Sequence, residues 1–463
     1  MNQHHKAAAL FSAALLLACS AGRLQAADRV EAPATGQPYL AQARDNIERI
    51  RKGEATLRLL DAQGRPLAGV RLRIDQISQD FLFGALSDGM MSTQFSPAEV
   101  GRFQKQFTDL FNFTIGKVYW SYYEKQQGRP DWQKLDAFLD WCRANRLTVK
   151  GHPLAWTHPA GTPDWIYNQP PGVADTLLQA RIYNLVGGYQ GRIDIWDVVN
   201  EPVNTVPWSV ALQDSRNPDG SIAEGKRYAV SQQELGDVVP WVERSFRWAH
   251  EANPQGNFIL NEFFLFAKPE VRQKFFVLAQ TLLARGVPVR GLGIQAHEPR
   301  QMWFSPQQVR EALDHLAELK LPLHITEFTP QSSGLPIEGW RNGPWNEEAQ
   351  AEFAEQIYTQ AFGHPAVVSI NWWGFCDRDS WLEGGGLLDK NLNPKPVYTR
   401  LQKLIRVEWM TKGVERQTDA SGRANFRGFF GRYRIEVVGP DGSVKQVEQH
   451  LQAGGDNTWT IQP

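Results

Sequence analysis

Cysteine is scarce in this chain, and neither sign of charge dominates. Only three of its 463 residues are cysteine. Cys142 and Cys376 could pair in an oxidising compartment, but they lie in distant parts of the sequence and we expect both to be free thiols. The 49 basic and 50 acidic residues leave a net charge of -1. Because a nucleic-acid backbone needs a basic surface, nucleic acid is not an expected partner.

Long apolar runs are also missing, apart from one near the start. Residues 7–18 are apolar, follow Lys6 and precede a small residue near Ala27, which predicts a signal peptide over residues 1–27. The run is too short to span a bilayer as a helix, and no later segment is apolar enough. Cys19 ends a stretch that approximates a lipoprotein cleavage site. We therefore expect export, with a soluble periplasmic or extracellular protein and a lipid-anchored outer-membrane protein as alternatives.

Two kinds of catalytic motif are absent. No strand has His-x-His and no helix has His-Glu-x-x-His, which argues against a metal-dependent hydrolase built on His152, His158, His297 or His324. No glycine-rich phosphate loop follows the first strand of the α/β region, which argues against nucleotide binding. The sequence therefore predicts neither a metal nor an organic cofactor, and we expect a monomer.

The middle of the chain alternates apolar strands with helices. One helix is predicted at 132–142, another follows Ser305 as its N-cap, and a third runs from Glu347 to Gly363. This alternation predicts a (β/α)8 TIM barrel over 81–408, with a doubly wound parallel sheet as the alternative. The eight predicted strands are 81–86, 111–118, 147–156, 193–201, 258–263, 289–297, 321–327 and 367–373.

The two ends of the chain have the alternating pattern of β-strands. Strands are predicted at 55–60 and 70–74 near the N-terminus, and at 433–437, 444–447 and 458–461 near the C-terminus. A lone hairpin is marginal in water, so neither end is expected to bury its apolar face by itself. We expect the segments 45–80 and 409–463 to pack together as an accessory, sandwich-like all-β region beside the barrel.

Polar and aromatic side chains follow several of the predicted barrel strands. Reactive groups lie at the carboxyl ends of strands in parallel α/β folds. Two carboxylates on different strands, with amide, imidazole and indole neighbours, suit cleavage of a glycosidic bond. A single strand-end glutamate can equally be a helix cap or an ion-pair partner, but several such groups together favour a site. The strand-end residues are His152, Trp156, Asn200, Glu201, Asn261, Glu262, His297, Glu327, Trp373 and Asp377.

Five of these segments together resemble glycoside hydrolase family 10, the endo-1,4-β-xylanase family. Residues 197–202, Asp-Val-Val-Asn-Glu-Pro, are similar to its acid/base strand, and residues 325–327, Ile-Thr-Glu, to its nucleophile strand. Residues 151–156 resemble its third-strand motif, 293–297 its sixth, and 373–381 its eighth strand and following loop. The motifs occur in family order from about residue 81 to about residue 405.

The resemblance implies a retaining, endo-acting β-glycoside hydrolase that cleaves xylan or a related plant cell-wall polysaccharide. Glu201 would be the general acid and then the base, with Asn200 contacting the adjacent sugar hydroxyl. Glu327 would be the nucleophile, held ionised and oriented by His297. The implied lining of the pocket around the cleaved sugar is His152, Trp156, Gln295, Trp373 and Trp381.

The second barrel strand departs from the family pattern. Ile115 and Gly116 stand where the family has a glutamate–asparagine pair, and Tyr119 stands where it has a lysine before the tryptophan, here Trp120. Those family residues hold xylose hydroxyls on the non-reducing side of the cut. Lys117 shares a strand face with Tyr119 and is a candidate replacement, so both are included as substrate-binding candidates. A β-glycosidase of this fold with a non-xylan substrate and a non-catalytic carbohydrate-binding barrel are the alternatives.

Overall fold

The computed structural model describes residues 36–87, 90, 94–205, 235–439 and 442–462. The predicted signal peptide and Cys19 lie outside the described residues. None of the described helices is long and apolar enough to cross a membrane. Cys142 and Cys376 are buried free thiols, as expected.

Eight parallel strands close into the predicted barrel. In chain order the strands are β1 Lys52–Leu59, β2 Arg71–Gln76, β3 Leu82–Leu86, β4 Phe113–Lys117, β5 Thr148–His152, β6 Ile195–Asn200, β7 Asn257–Glu262, β8 Gly291–Ile294, β9 Met302–Trp303, β10 Leu323–Phe328, β11 Glu338–Gly339, β12 Val367–Trp372, β13 Val414–Gln417, β14 Arg423–Phe429, β15 Gly431–Val438, β16 Val444–Leu451 and β17 Thr458–Ile461. The order around the barrel is β10-β12-β3-β4-β5-β6-β7-β8. All six residues of β10 are buried, as expected of a strand that is covered on both sides.

Helices between the barrel strands bury one apolar face each. After Ser305, whose hydroxyl accepts the Gln308 N–H at 3.1 Å, a helix buries Val309, Leu313 and Leu316 at helical spacing. The three helices predicted from sequence are therefore present. The helices span Gln37–Ile50, Pro97–Leu110, Trp120–Tyr123, Trp132–Ala144, Pro171–Gly188, Leu235–Ala252, Pro269–Ala284, Pro306–Ala317, Glu347–Phe362 and Pro396–Lys403, with a 3₁₀ turn at Asp164–Asn168 and a π turn at Leu404–Glu408.

The two ends of the chain meet in an all-β region, as predicted. One sheet has the order β14-β1-β17 and the other β13-β2-β15-β16, so each sheet combines an N-terminal strand with C-terminal ones. Leu57 and Ile74 from the N-terminal strands and Tyr433 and Trp459 from the C-terminal ones belong to a single apolar core between the sheets. The region is a small sandwich with a core separate from that of the barrel.

The N-terminal segment differs from the expectation in one respect. Residues 45–50, assigned from sequence to the β-rich segment, are the last part of the helix Gln37–Ile50. Ala43 and Ile47, four residues apart, are buried on one face of this helix. Arg51, directly after it, donates hydrogen bonds to the carbonyls of Phe362 and Val367, both at 2.7 Å. The helix and Arg51 therefore connect β1, the first strand of the sandwich, to the barrel.

Candidate active site

The two predicted catalytic glutamates lie at the same end of the barrel. Glu201 directly follows β6, and Glu327 is the fifth residue of β10. Both side chains are buried, at 8% and 4% residue exposure. Because all eight strands are parallel, the carboxyl ends of β6 and β10 open at the same mouth. The structure therefore brings the two carboxyl groups to the same end of the barrel, near enough for the charge of Glu201 to act on Glu327.

The carboxyl group of Glu201 is held by three N–H donors. Trp156 Nε1 donates to Oε2 at 2.7 Å, and Gln295 Nε2 and Asn200 Nδ2 donate to Oε1 at 3.0 and 3.2 Å. The backbone of Glu201 has a φ of 59° and donates its N–H to the Asn261 carbonyl at 2.8 Å. Three of the sequence-predicted residues thus fix the position of the predicted acid.

Asn261 joins the two glutamates. Its Nδ2 donates to Glu327 Oε1 at 2.8 Å and to Asn200 Oδ1 at 2.7 Å. Its Oδ1 accepts the Thr326 hydroxyl at 2.7 Å, which fixes the orientation of the amide. Asn200 and Asn261 are direct partners in the β6–β7 register. Sequence reasoning placed Asn261 at a strand end but left it out of the site, because only the register shows that its amide lies between Glu327 and Asn200, the partner of Glu201.

His297 has a different partner from the one that the resemblance implied. Its Nε2 lies 2.6 Å from Gln295 Oε1, so it contacts Gln295 and not Glu327. Gln295 Nε2 already donates to Glu201, which leaves Oε1 to accept and places the imidazole proton on Nε2. Burial lowers the pKa of His297 to about 3, so the ring is neutral. Ala296, with φ of 61°, turns the chain between the two side chains. His297 therefore positions the amide that holds Glu201.

His152 contacts the buried ion pair of Lys150 and Asp197. Lys150 donates to Asp197 Oδ2, and His152 Nδ1 lies 2.7 Å from the same oxygen. Burial favours the neutral form of Asp197, but Lys150 and His152 outweigh it and hold the pKa of this carboxyl below its usual value. Asp197 is therefore an anion that accepts the Nδ1 proton. This leaves His152 Nε2 as an acceptor 3.9 Å from Glu327 Oε1.

An aromatic wall completes the site next to His152. The Trp373 ring lies 5.0 Å from the imidazole, and Tyr119 lies 5.2 Å from Trp156 and 5.7 Å from His152. These three aromatic residues pack with Leu86 and Ile115. Flat indole and phenol faces next to polar groups are what a sugar ring requires, since its C–H faces are apolar and its rim is hydroxylated.

The remaining predicted residues lie further out. Trp381 is 42% exposed, with its ring 5.0 Å from His297 and the Arg300 guanidinium 4.6 Å above it. Lys117 ends β4, and its ammonium lies 4.8 Å from the Tyr119 ring. The strand-end residue Asp377 is not part of the site: its carboxylate accepts the Gly386 N–H at 2.7 Å and pairs with Lys395 at 3.3 Å, which holds a loop.

A third buried carboxyl, Glu262, lies behind the pair. Its Oε2 accepts the Val203 N–H at 2.8 Å, and its Oε1 accepts Asn204 Nδ2 at 2.9 Å, so it anchors the chain that follows Glu201. Burial, and then the charge of Glu201, raise its pKa to about 8. Glu262 was a strand-end candidate from sequence, and the structure gives it a supporting role.

Burial also controls the protonation of the predicted catalytic pair, Glu201 and Glu327. It raises the pKa of Glu201 to about 7, although the donors from Gln295, Trp156 and Asn200 oppose the shift. Burial, followed by the nearby Glu201 charge, raises the pKa of Glu327 as well. Two such carboxyl groups cannot both ionise cheaply, so the pair retains one proton near neutral pH. One acid and one anion at a single cavity are what glycosidic cleavage needs.

An eight-stranded parallel barrel with this carboxyl pair at its mouth defines a glycoside hydrolase. Residues 75–404, which include the whole barrel, match the profile of glycosyl hydrolase family 10. The chain belongs to this family.

The chain is also similar to individual proteins with different names. A β-1,4-xylanase of Dictyoglomus thermophilum is 30% identical over 294 residues, which are 59% of this chain and 75% of that protein. An anti-sigma-I factor of Acetivibrio thermocellus is 26% identical over 433 residues, or 92% of this chain, and the chain spans only 50% of that protein. Xylanase 10B of Thermotoga petrophila, in complex with xylobiose, has the same fold, with a TM-score of 0.55 and 24% identity over 71% of this chain and 95% of that one.

Proposed function

We propose that the protein is a retaining, endo-acting β-glycoside hydrolase that cleaves xylan or a related plant cell-wall polysaccharide. Glu201 is its acid/base and Glu327 its nucleophile. The observation that supports this most is the Asn261 amide, which donates to Glu327 and is linked through Asn200 to Glu201. The amide holds the two buried carboxyl groups in a fixed arrangement next to an aromatic wall.

The first half of the reaction forms a glycosyl ester. The Glu327 carboxylate attacks the anomeric carbon, the bond from that carbon to the leaving oxygen breaks, and Glu201 donates its proton to the departing oxygen. Carboxyl groups about 5–5.5 Å apart give this retaining course in glycosidases generally. Asn261, as a fixed N–H donor, stabilises charge on the nucleophile before attack and after departure.

The second half uses the same two residues in changed roles. Once Glu327 is esterified its charge is gone, so the Glu201 anion is stable and takes a proton from water. The water oxygen bonds to the anomeric carbon while the bond to Glu327 breaks, which restores the carboxylate. The three donors to Glu201 stabilise its ionised form during this step.

Xylan is the proposed substrate class because several of the similar proteins are xylanases. The test is a panel of xylan, mixed-linkage glucan and aryl β-xylosides and β-glucosides, with the product anomers followed by NMR. We expect xylan fragments whose first-formed anomer is β. Cleavage of glucan with xylan untouched would favour a β-glycosidase of another specificity, and binding without cleavage would favour a non-catalytic barrel. We also propose that residues 1–27 direct export. Analysis of the mature N-terminus tests this: a chain that begins near Ala27 is the soluble form, one that begins at a lipid-modified Cys19 is the lipid-anchored form, and an uncleaved chain contradicts the proposal.

Replacing the nucleophile gives the first prediction. Glu327→Gln keeps the size and the hydrogen bond from Asn261 but cannot form the ester, so we expect kcat to fall by at least about 10³-fold with the fold intact. Rates on an aryl β-xyloside and the circular dichroism spectrum are the measurements. The control is Glu318→Gln, whose side chain is 65% exposed on the barrel exterior. A Glu327→Gln enzyme with wild-type rates would refute the assignment.

A further inference from the structure

A cleft of about 740 Å³ opens beside the catalytic mouth and has an excess of positive charge. Among the described residues, five cations and two carboxylates line it. It begins at Ile115 and Lys117 on β4, and Lys117 is the direct partner of His152 in the β4–β5 register. The cleft therefore starts one strand away from the residue that faces Glu327. Its cations are Lys117, Lys125, Arg129, Lys134 and Arg378.

Three of these cations have no carboxylate partner among the residues that the structure describes. Within the described part of the chain, no carboxylate oxygen lies within 4.0 Å of the charged groups of Lys125, Arg129 or Lys134. Arg378, in contrast, pairs with Glu99 at 2.9 Å. One of the two lining carboxylates, Asp131, accepts the Lys134 N–H at 3.4 Å as a helix N-cap. The positive charge of the cleft is thus mainly uncompensated.

The turn that carries Lys125 and Arg129 is held in place by hydrogen bonds to Glu124. Glu124 accepts the Gly128 N–H at 2.6 Å and Trp120 Nε1 at 2.8 Å, and its carbonyl accepts Trp165 Nε1 at 2.9 Å. Gly128, with φ of 76°, allows the tight turn that this requires. Lys125 and Arg129 are on the same short, anchored segment, and both line the cleft.

An exposed aromatic face lies at the entrance of the cleft. Tyr122 is 54% exposed, stacks on Tyr119 at 5.7 Å and has the Lys117 ammonium 5.3 Å from its ring. A phenol face suits a sugar ring, and the neighbouring cations suit an anion attached to that ring. A second cleft, bordered by Trp381, contrasts with the first, because Glu298, Glu338 and Glu383 outnumber its single arginine, Arg300.

We propose that this basic cleft binds the carboxylate of a uronic acid borne by the polysaccharide. The proposal rests on the proposed function, since it names the class of glycan that the same site cleaves. A uronate in the basic cleft is attracted by Lys125, Arg129 and Lys134, whereas the same group in the second cleft meets like charge. The enzyme should therefore cleave the polysaccharide backbone at a fixed distance from each sugar that bears a uronic acid.

The test compares one polymer with and without its charge. A glucuronic-acid-substituted xylan is assayed beside the same material with its carboxyl groups reduced to alcohols, and the variant is Lys125→Gln/Arg129→Gln/Lys134→Gln. We expect the wild type to prefer the acidic polymer by about tenfold in kcat/KM at low salt, because rim charges each contribute a few-fold and are screened by salt. The variant should lose this preference, with its rate on a neutral aryl β-xylobioside unchanged.

The control triple Lys412→Gln/Arg434→Gln/Lys445→Gln removes the same charge from the exposed face of the sandwich and should keep the preference. If the wild type cleaves the aryl xylobioside but acts on the two polymers at equal rates, the proposal for the basic cleft is overturned and the proposed function is not. Loss of all hydrolysis would instead contradict the proposed function. In that case calorimetry with glucuronosyl-xylotetraose and plain xylotetraose still decides: tighter binding of the acidic oligosaccharide supports the basic cleft, and equal binding refutes it.

Discussion

Glu201 has a backbone conformation that a glutamate rarely adopts, with φ of 59°. Such a left-handed residue costs on the order of 1–3 kcal/mol and persists only where the surroundings impose it. Here the Glu201 N–H donates to the Asn261 carbonyl, and the Thr205 hydroxyl donates to the Glu201 carbonyl at 2.7 Å. These bonds turn the chain away from β6 and aim the carboxyl group into the cavity.

The protonation of Glu201 predicts how stability depends on pH. Its pKa rises from 4.5 to about 7 on folding, so between these values the folded protein holds a proton that the unfolded chain has released. The free energy of unfolding should therefore fall as pH rises through this window, by about 3 kcal/mol from this residue. Glu201→Gln, which cannot ionise, should flatten the curve and be more stable than wild type at pH 8 in urea unfolding. Parallel curves for the two proteins would contradict the expected burial.

The sequence predicted which side chains reach the mouth but not what they contact. Strand ends identified Glu201, Glu327 and His152 because their place at the carboxyl ends follows from the barrel topology. The linking role of Asn261 depends on register instead, on the shift between Asp197 and Val199 that sets Asn200 opposite Asn261. A single sequence carries no signal of that shift.

At the scale of elements, the contact between β7 and β8 determines where the linking amide sits. Asn261 pairs with Gly293 in the register, and a Cβ added at Gly293 would come within 2.2 Å of Asn261 Oδ1. A side chain at this position must therefore displace the amide that joins the two glutamates. Glycine is required at position 293 because the Asn261 side chain lies too close to leave room for a Cβ.

Gly293→Ala is accordingly expected to lower kcat by about 10²-fold or more, through the loss of a fixed donor to the nucleophile. The measurement is kcat on an aryl β-xyloside together with the midpoint of thermal unfolding. Gly101→Ala, in the helix Pro97–Leu110 where an added Cβ meets nothing within 4 Å, is the matched control. It should stabilise the protein by about 0.5–1 kcal/mol with kcat unchanged. An unimpaired Gly293→Ala enzyme would show that the amide position is not critical.

The sandwich was predicted in outline from five alternating strands. Two further strands, β13 and β14, were not predicted. Three of the four residues of β13 are exposed, so the strand has little apolar pattern, and in β14 Gly428 interrupts the apolar alternation between Phe426 and Phe429. Both strands are specified by pairing with β1 and β2, over 300 residues earlier, and not by local preference.

Phe426 tests whether the sandwich holds the chain ends together. Its ring is buried, 5.1 Å from Tyr433 and 6.0 Å from Trp459. Phe426→Ala should lower the free energy of unfolding of this region by about 3–5 kcal/mol, with kcat of the folded protein unchanged because the barrel core is separate. Val444→Ala, at a 52% exposed position, should have little effect. Equal stabilities of the two variants in urea unfolding would contradict the packing described.

On the scale of the whole molecule, the net charge is only -1, but the charged residues are unevenly distributed over the surface. One cleft beside the mouth is basic and the other acidic, as Arg129 and Glu338 illustrate. Composition gave no indication of this arrangement, because it arises only when loops distant in sequence meet at one end of the barrel. The fold itself was predictable, because eight apolar strands in order leave few other topologies.

The chemistry attributed to the barrel can be examined most directly by trapping its intermediate. A 2-deoxy-2-fluoro-xylobioside with a dinitrophenyl leaving group slows the second step more than the first, so the glycosyl ester accumulates. Mass spectrometry of the digested protein should find one added 2-deoxy-2-fluoro-xylobiosyl group on the peptide that contains Glu327, and none in Glu327→Gln. A label on any other residue, or a product released with inverted configuration, would contradict the account.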